Sequence, residues 1–218
     1  MKYRDRIWRI NGSGPPDPFI AEAAARLARD GVVIYPTETF YGLGANPFSA
    51  DAVLRAYRIK RRSLAKAMPL IASDIAAVRN VAADWSPSTD LLVRAFWPGP
   101  LTLILPTAVP FPSMLLTGPG KIAVRVSSHP VAGALATAVG GLVTATSANI
   151  AGSSPIADPA EIPPDLLREV DGMLDAGTLP GNLPSTVLDV SRPVPRLVRE
   201  GCLPAELIAR ALSRRTSW

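Results

Sequence analysis

Sulfur and imidazole are almost missing from this chain, whose 218 residues include one cysteine, Cys202, and one histidine, His129. A single thiol cannot close an internal disulfide, which agrees with a reducing compartment. One histidine gives no basis for a Cys/His dyad, for paired-histidine acid–base chemistry or for a zinc cluster, so no metal ligands are expected from the protein. A Ser-His-Asp triad would have to use His129, but that residue precedes Pro130 at the expected start of a helix, and no G-x-S-x-G elbow occurs. His129 is therefore read as structural. G-x-G-x-x-G and Walker A sequences are also missing, which argues against Rossmann and P-loop nucleotide sites. From Met1 to Arg9 the chain alternates charge with apolar residues and has no apolar run that would serve as a signal peptide or membrane span. A cytoplasmic protein without membrane contact is the expectation.

What is present suits one core. The apolar content is 48%, ordinary for a globular protein, and 218 residues are enough for a single domain over residues 1–218. The net charge of +5 is modest, yet 19 of the 23 cationic side chains are arginine, the residue suited to two-point contacts with carboxylate and phosphate. Six cations, Arg55, Arg58, Lys60, Arg61, Arg62 and Lys66, fall within twelve residues. A solvated helix face would account for them as well.

Asp17-Pro18 has the form of an N-cap followed by a first-turn proline, and the apolar residues from Phe19 to Ala28 recur at helical spacing. The run 31–35 is short and β-branched and predicts a buried strand, followed by a loop from Pro36 to Pro47 in which Gly42 and Gly44 permit tight turns. Ser49 then caps a helix reaching about Ile59. Further strands are predicted at 69–72, 101–105, 122–126, 142–146, 186–190 and 196–198, and helices at 75–80, 90–97, 131–139, 165–170 and 205–214. The alternation predicts an α/β fold, a single open, twisted, mixed and substantially parallel sheet flanked by helices, with a core over about 17–205. The segments 152–164 and 177–184 are read as loops, and Trp97-Pro98-Gly99-Pro100 as a sharp structural connection.

Polar segments sit directly after apolar strands, where an α/β sheet places its ligand crevice: Pro36-Thr37-Glu38-Thr39 after one strand, Ser147-Ala148-Asn149 after another. Such hydroxyls and amides donate to anionic oxygens, and they also stabilise ordinary turns. Lys60 and Arg62, at a helix end, would make two prongs for a polyphosphate, although cations there also complement the helix dipole. Arg125 interrupts an apolar strand and calls for an anionic partner.

Together Tyr35-Pro36-Thr37-Glu38-Thr39, Tyr41-Gly42-Leu43-Gly44-Ala45-Asn46, Lys60-x-Arg62, Trp97-Pro98-Gly99-Pro100-Leu101-Thr102, Ala123-Val124-Arg125, Ser147-Ala148-Asn149, Pro184-Ser185-Thr186 and Arg199-x-Gly201 are similar, in content and order, to the YrdC-like family of threonylcarbamoyl-adenylate synthases. The resemblance covers about residues 20–205 and implies a sheet curled around a deep, positively charged cavity. It implies a reaction of L-threonine, bicarbonate and ATP, with Mg²⁺ accompanying the ATP, to give threonylcarbamoyl-adenylate and pyrophosphate for tRNA modification by a downstream transferase complex. By the same resemblance Lys60 and Arg62 are the candidate catalytic residues and hold ATP with Ser147, Asn149 and Arg199, while Thr37, Arg125 and Ser185 hold threonine. tRNA itself is a candidate contact. Ser63, Ala65, Pro184 and Glu200 depart from the family's usual residues, and the sequence resembles the family's short form, without the extra C-terminal domain. Two other readings stay open: a basic RNA-binding module without this catalysis, and a related carbamoyl-adenylate-forming enzyme.

Overall fold

The computed structural model describes residues 3–10, 18–181 and 183–213. Among them the chain runs β1 (Ile7–Arg9), α1 (Pro18–Leu27), β2 (Val33–Tyr35), β3 (Gly42–Gly44), α2 (Ala50–Lys60), β4 (Leu70–Ala72), α3 (Ile75–Val81), α4 (Pro87–Phe96), β5 (Leu101–Pro106) and β6 (Leu116–Gly118). It continues through β7 (Lys121–Val126), α5 (Pro130–Ala138), β8 (Leu142–Thr144), β9 (Thr146–Ser147), α6 (Pro164–Glu169), β10 (Gly172–Asp175), β11 (Thr186–Asp189), β12 (Arg196–Arg199) and α7 (Ala205–Ser213). The expected Asp17 cap, residue 214 of the last helix and the extreme ends of the 1–218 domain lie outside the described residues. The architecture is mixed α/β with open, twisted sheets flanked by helices.

Two sheets form rather than one, in the orders β1-β10-β2-β3-β9 and β12-β11-β5-β7-β4-β8, with β6 added on β7. Four of the ten ladders are parallel and six antiparallel, so the sheets are less parallel than the strand–helix alternation suggests. Three of the antiparallel ladders, β2–β3, β6–β7 and β11–β12, join strands that follow one another with no α-helix between them, so no crossover is needed. Alternate residues of one strand feed two different apolar clusters. Ile34, Leu70 and Ala72 join the larger cluster, which also receives Val53, Ala56 and Tyr57 of α2. Val33, Tyr35 and Ile71 join the other, built with Ala23, Ala24 and Leu27 of α1 and Val131, Ala132, Leu135 and Ala136 of α5. Burial on both faces explains why these strands read as unbroken apolar runs. Each fully buried Leu, Ile or Val contributes about 1.5–3 kcal/mol to holding the sheets in place.

Local signals set the helix starts. Ser49, Asp74 and Ser86 each accept a backbone N–H bond from the third residue onward, and His129 caps α5 by accepting from Val131 N, a structural role. Ser86-Pro87 begins α4 three residues before the predicted start. In the Trp97–Pro100 connection, which contains a cis Trp97–Pro98 bond, the buried indole donates to the carbonyl of Leu101 at 2.6 Å.

The Gly42–Gly44 segment corrects an expectation. It is strand β3, antiparallel to both β2 and β9, not a turn-forming loop. Its glycines serve close approach, because the ring of the fully buried Tyr35 lies over Gly44 with its hydroxyl donating to Thr144 O at 2.8 Å. A Cβ at Gly44 would stand 2.8 Å from the Tyr35 ring and 3.0 Å from Val143, whereas one at Gly42 would clear Tyr35 by 3.5 Å. Gly44→Ala is therefore expected to lower stability by about 1–3 kcal/mol in urea unfolding, and Gly42→Ala by clearly less.

Candidate functional site

Helix α2 ends in a way that separates Lys60 from Arg62. Arg61 adopts a left-handed conformation (φ 53°), and the N–H groups of Arg61 and Arg62 return to the carbonyls of Arg58 and Tyr57. This is a Schellman-type stop made without glycine. Lys60, the last helical residue, consequently points inward and is 2% exposed, while Arg62 lies beyond the reversal.

The Lys60 amine meets Ser147 O at 2.5 Å, Asn149 Oδ1 at 2.7 Å, Asn149 O at 3.1 Å and Ser147 Oγ at 3.2 Å. Ser147 Oγ also donates to Asn149 Oδ1 at 2.6 Å, and Asn149 Nδ2 donates to Ser153 O at 2.5 Å. The lysine thereby fixes the 147–153 segment, which returns a backbone bond from Ala151 N to Lys60 O at 2.8 Å. Burial, and next the charge of Arg62, push the Lys60 pKa down to about 7. The four oxygens act in the opposite sense, since only the ammonium offers three protons to them.

Arg62 donates from Nε to Lys66 O at 2.8 Å and from one terminal nitrogen to Ala67 O at 3.0 Å, so the loop after α2 holds it by backbone carbonyls. Arg199, at the end of β12, donates to Ser185 O at 2.8 Å, and Ser185 Oγ lies 2.9 Å from Thr102 Oγ1. Burial, then the charges of Arg125 and Arg62, draw the Arg199 guanidinium below the usual arginine range. Arg125, 5% exposed on β7, has its anionic partner within the chain: Nε donates to Glu38 Oε1 at 2.9 Å, and the other oxygen of Glu38 accepts from Ser127. Thr37 closes a turn of its own, donating to Phe40 O at 2.7 Å while accepting from the N–H of Thr39 and of Phe40.

These elements meet at one pocket of about 220 Å³, whose lining includes Thr37, Arg62, Arg125, Ser147, Ser185 and Arg199. Lys60 and Asn149 border a second hollow of about 490 Å³ that shares Arg62 and Ser147 with the first. A third, also about 490 Å³, runs over β5, β7, β11 and β12 and shares Arg62, Ser185 and Arg199. All eight candidate residues thus gather around Arg62. Glu38 and Ser127 join the site without a role that the sequence pattern predicts. The signal for Glu38 was an acid directly after a buried strand, but its partner is 87 residues away.

The sequence profile described as "Telomere recombination" and labelled Sua5/YciO/YrdC matches residues 25–201. The chain belongs to this family. Among Sua5/YciO/YrdC relatives, the threonylcarbamoyl-AMP synthase of Xanthomonas campestris pv. campestris (strain B100) is 42% identical over 167 residues, 74% of this chain and 87% of that protein. The protein of the same name from Bacillus subtilis (strain 168) is 36% identical over 193 residues, 88% of this chain and 56% of that one. The crystal structure of P. abyssi Sua5 complexed with L-threonine matches with a TM-score of 0.88 at 30% identity, over 94% of this chain and 60% of that chain. E. coli YciO matches with a TM-score of 0.82, also at 30% identity, over 92% and 97% of the two chains. The chain thus spans under two thirds of P. abyssi Sua5 and of the Bacillus subtilis protein.

Replacing Lys60 with Met keeps its length and removes the donor to several buried oxygens. Unfolding in urea near pH 7 is expected to show a loss of about 1–3 kcal/mol. The pH dependence carries a definite sign. With a folded pKa of about 7 below an unfolded value near 10.4, the cost of burying the charge is fully present below pH 7 and fades as pH rises. The stability advantage of wild type over Lys60→Met should therefore grow between pH 7 and pH 10.

Proposed function

We propose that this chain is a threonylcarbamoyl-AMP synthase, joining L-threonine, bicarbonate and ATP into threonylcarbamoyl-adenylate with release of pyrophosphate. The observation that carries the reading is the meeting of Arg62, Arg125 and Arg199 with the hydroxyl residues Thr37, Ser147 and Ser185 on one partly buried pocket beside two larger hollows. The names of the family relatives agree with it.

The reaction brings together several anions, and their repulsion is the main obstacle. The nitrogen lone pair of threonine attacks the carbon of bicarbonate, or of carbon dioxide derived from it. Loss of a proton from nitrogen gives the carbamate, with water as the other product when bicarbonate reacts. A carbamate oxygen then attacks the α-phosphorus of ATP, the bond to the bridging oxygen breaks, and pyrophosphate leaves. That oxygen is already anionic, so no histidine base is needed.

The pocket of about 220 Å³ suits an amino acid better than a nucleotide, since drug-sized ligands occupy about 300–1,000 Å³. Threonine is assigned there, its carboxylate on Arg125, with Thr37 and Ser185 alongside. Thr37 has its proton committed to Phe40 O and its oxygen to the N–H groups of Thr39 and Phe40, so it serves the amino acid by fixing the turn that forms this wall of the pocket. ATP occupies the adjoining hollows, its phosphates near Arg62 and Arg199, its nucleotide near Ser147 and Asn149. Lys60 supports the same wall through the four oxygens it holds. Magnesium enters as part of the MgATP substrate, and a donor set of guanidinium and hydroxyl groups fits the anionic complex rather than the bare ion.

The product serves tRNA modification through a downstream transferase complex, and the exposed Arg58 and Arg61 on the outside of α2 offer a surface for tRNA phosphates. A cytoplasmic location fits this role, and no helix among the described residues is long and apolar enough to cross a membrane.

Incubation with ATP, Mg²⁺, bicarbonate and L-threonine is expected to yield threonylcarbamoyl-adenylate by mass spectrometry, with none formed when threonine or bicarbonate is omitted. Pyrophosphate release that ignores threonine would instead favour the related carbamoyl-adenylate chemistry, and RNA retention without turnover would favour the binding module. In the same assay Arg125→Ala should raise the KM for threonine by about 10- to 100-fold, the loss of one charge-assisted contact of about 1.5–3 kcal/mol.

A further inference from the structure

Arg125 would receive the substrate carboxylate, yet it already holds a carboxylate. Glu38 Oε1 takes the Nε proton at 2.9 Å, and both side chains are nearly buried, with exposures of 6% for Arg125 and 11% for Glu38. Glu38 is held in turn by the hydroxyl of Ser127, whose oxygen accepts from the backbone N–H of His129 at the cap of α5. The chain of contacts therefore runs from the start of a helix, through Ser127 and Glu38, to one edge of the guanidinium.

Arg125 lines the pocket and Glu38 does not. A guanidinium receives a carboxylate either along its Nε edge or end-on between its two terminal nitrogens. Glu38 occupies the first position from behind. Among the described residues no hydrogen bond engages the terminal nitrogens, and these are the donors left to the pocket. Arg62 and Arg199 are close enough for their charges to be felt at the same site, so an untethered Arg125 would have reason to swing away from them.

We propose that Glu38 is a positioning residue that ties the Nε edge of Arg125 and thereby presents its two terminal nitrogens end-on to the carboxylate of the amino-acid substrate. The inference rests on the assignment of threonine to this pocket. Glu38 does not touch the substrate. Its effect is to keep the guanidinium in one orientation before binding, which lowers the ordering cost of the clamp.

Two substitutions separate reach from charge. Glu38→Gln keeps the length and an oxygen for Nε but loses the charge. Glu38→Asp keeps the charge but is one methylene too short to span both Arg125 and Ser127. In steady-state pyrophosphate release with purified full-length protein, Glu38→Asp is expected to raise the KM for threonine about tenfold, equivalent to about 1.4 kcal/mol, with kcat and the KM for ATP within about threefold of wild type. Glu38→Gln should stay within about threefold in all constants. A larger threonine defect in Gln than in Asp would overturn the proposal, because charge rather than reach would then matter. No threonine defect in either variant would also overturn it, as would parallel losses in threonine KM, ATP KM and thermal midpoint, which mark a merely structural role. Wild-type protein that fails to turn over threonine at all would instead remove the assignment of function on which the test stands.

Discussion

Repulsion among three guanidinium groups is the constraint around which this site is built. Arg62, Arg125 and Arg199 border one pocket, and such charges, drawn partly out of water, separate unless something holds them. The restraint comes mainly from oxygen atoms that carry no full charge. Backbone carbonyls of Lys66 and Ala67 hold Arg62, and that of Ser185 holds Arg199. Among the described residues Glu38 supplies the one carboxylate hydrogen-bonded to any of the three, and it holds Arg125 without itself lining the pocket. Among the described residues the pocket lining therefore carries three guanidinium groups and no carboxylate, and each arginine has a fixed direction. Such a lining suits an anionic ligand, because its donors are oriented before the ligand arrives.

That arrangement needs stiff supports, and the ends of paired strands provide them. Thr37 follows β2, Arg125 lies near the end of β7, Ser147 closes β9 and Arg199 closes β12. Strands β2 and β7, buried over most of their length, stiffen the positions of Thr37 and Arg125, whereas β12 is exposed along its length and holds Arg199 through its ladder with β11. Gly201 shows how close the fit is. Its N–H bonds to Thr186 Oγ1, and a side chain there would run into the carbonyl of Pro184 and the backbone of Ser185. The turn after β12 thus keeps Ser185 and Arg199 together by allowing no room for anything larger.

Much of this was readable in the sequence because it depends on local pattern. Short apolar runs rich in β-branched residues announced β2, β7 and β8, and Ser49 announced the start of α2. The lone arginine in β7 announced an anionic partner. Elements whose signal depends on a distant neighbour were not readable. The glycines of β3 look like turn residues until Tyr35 is seen lying over Gly44. Strands β1 and β10 are short and pair with each other across more than 160 residues of sequence, as in Ile7 opposite Met173. The carboxylate facing Arg125 sits in a motif that could equally have formed a turn, and only the fold brings β2 and β7 close enough for them to meet.

Lys60 and Arg62 show the same limit in sharper form. Two cations separated by one residue at a helix end invite the reading of a matched pair aimed at one polyphosphate. The left-handed turn at Arg61 divides them: one is buried to organise backbone and amide oxygens, the other lies between hollows with part of its fork already anchored. A lysine suits the first position because an ammonium donates in three directions to oxygens converging from one loop, which a planar guanidinium cannot do. An arginine suits the second because it keeps donors available after two are spent on Lys66 and Ala67. The spacing of the motif is set by the geometry of the helix stop, and the identity of each cation by the number and direction of the oxygens it has to satisfy.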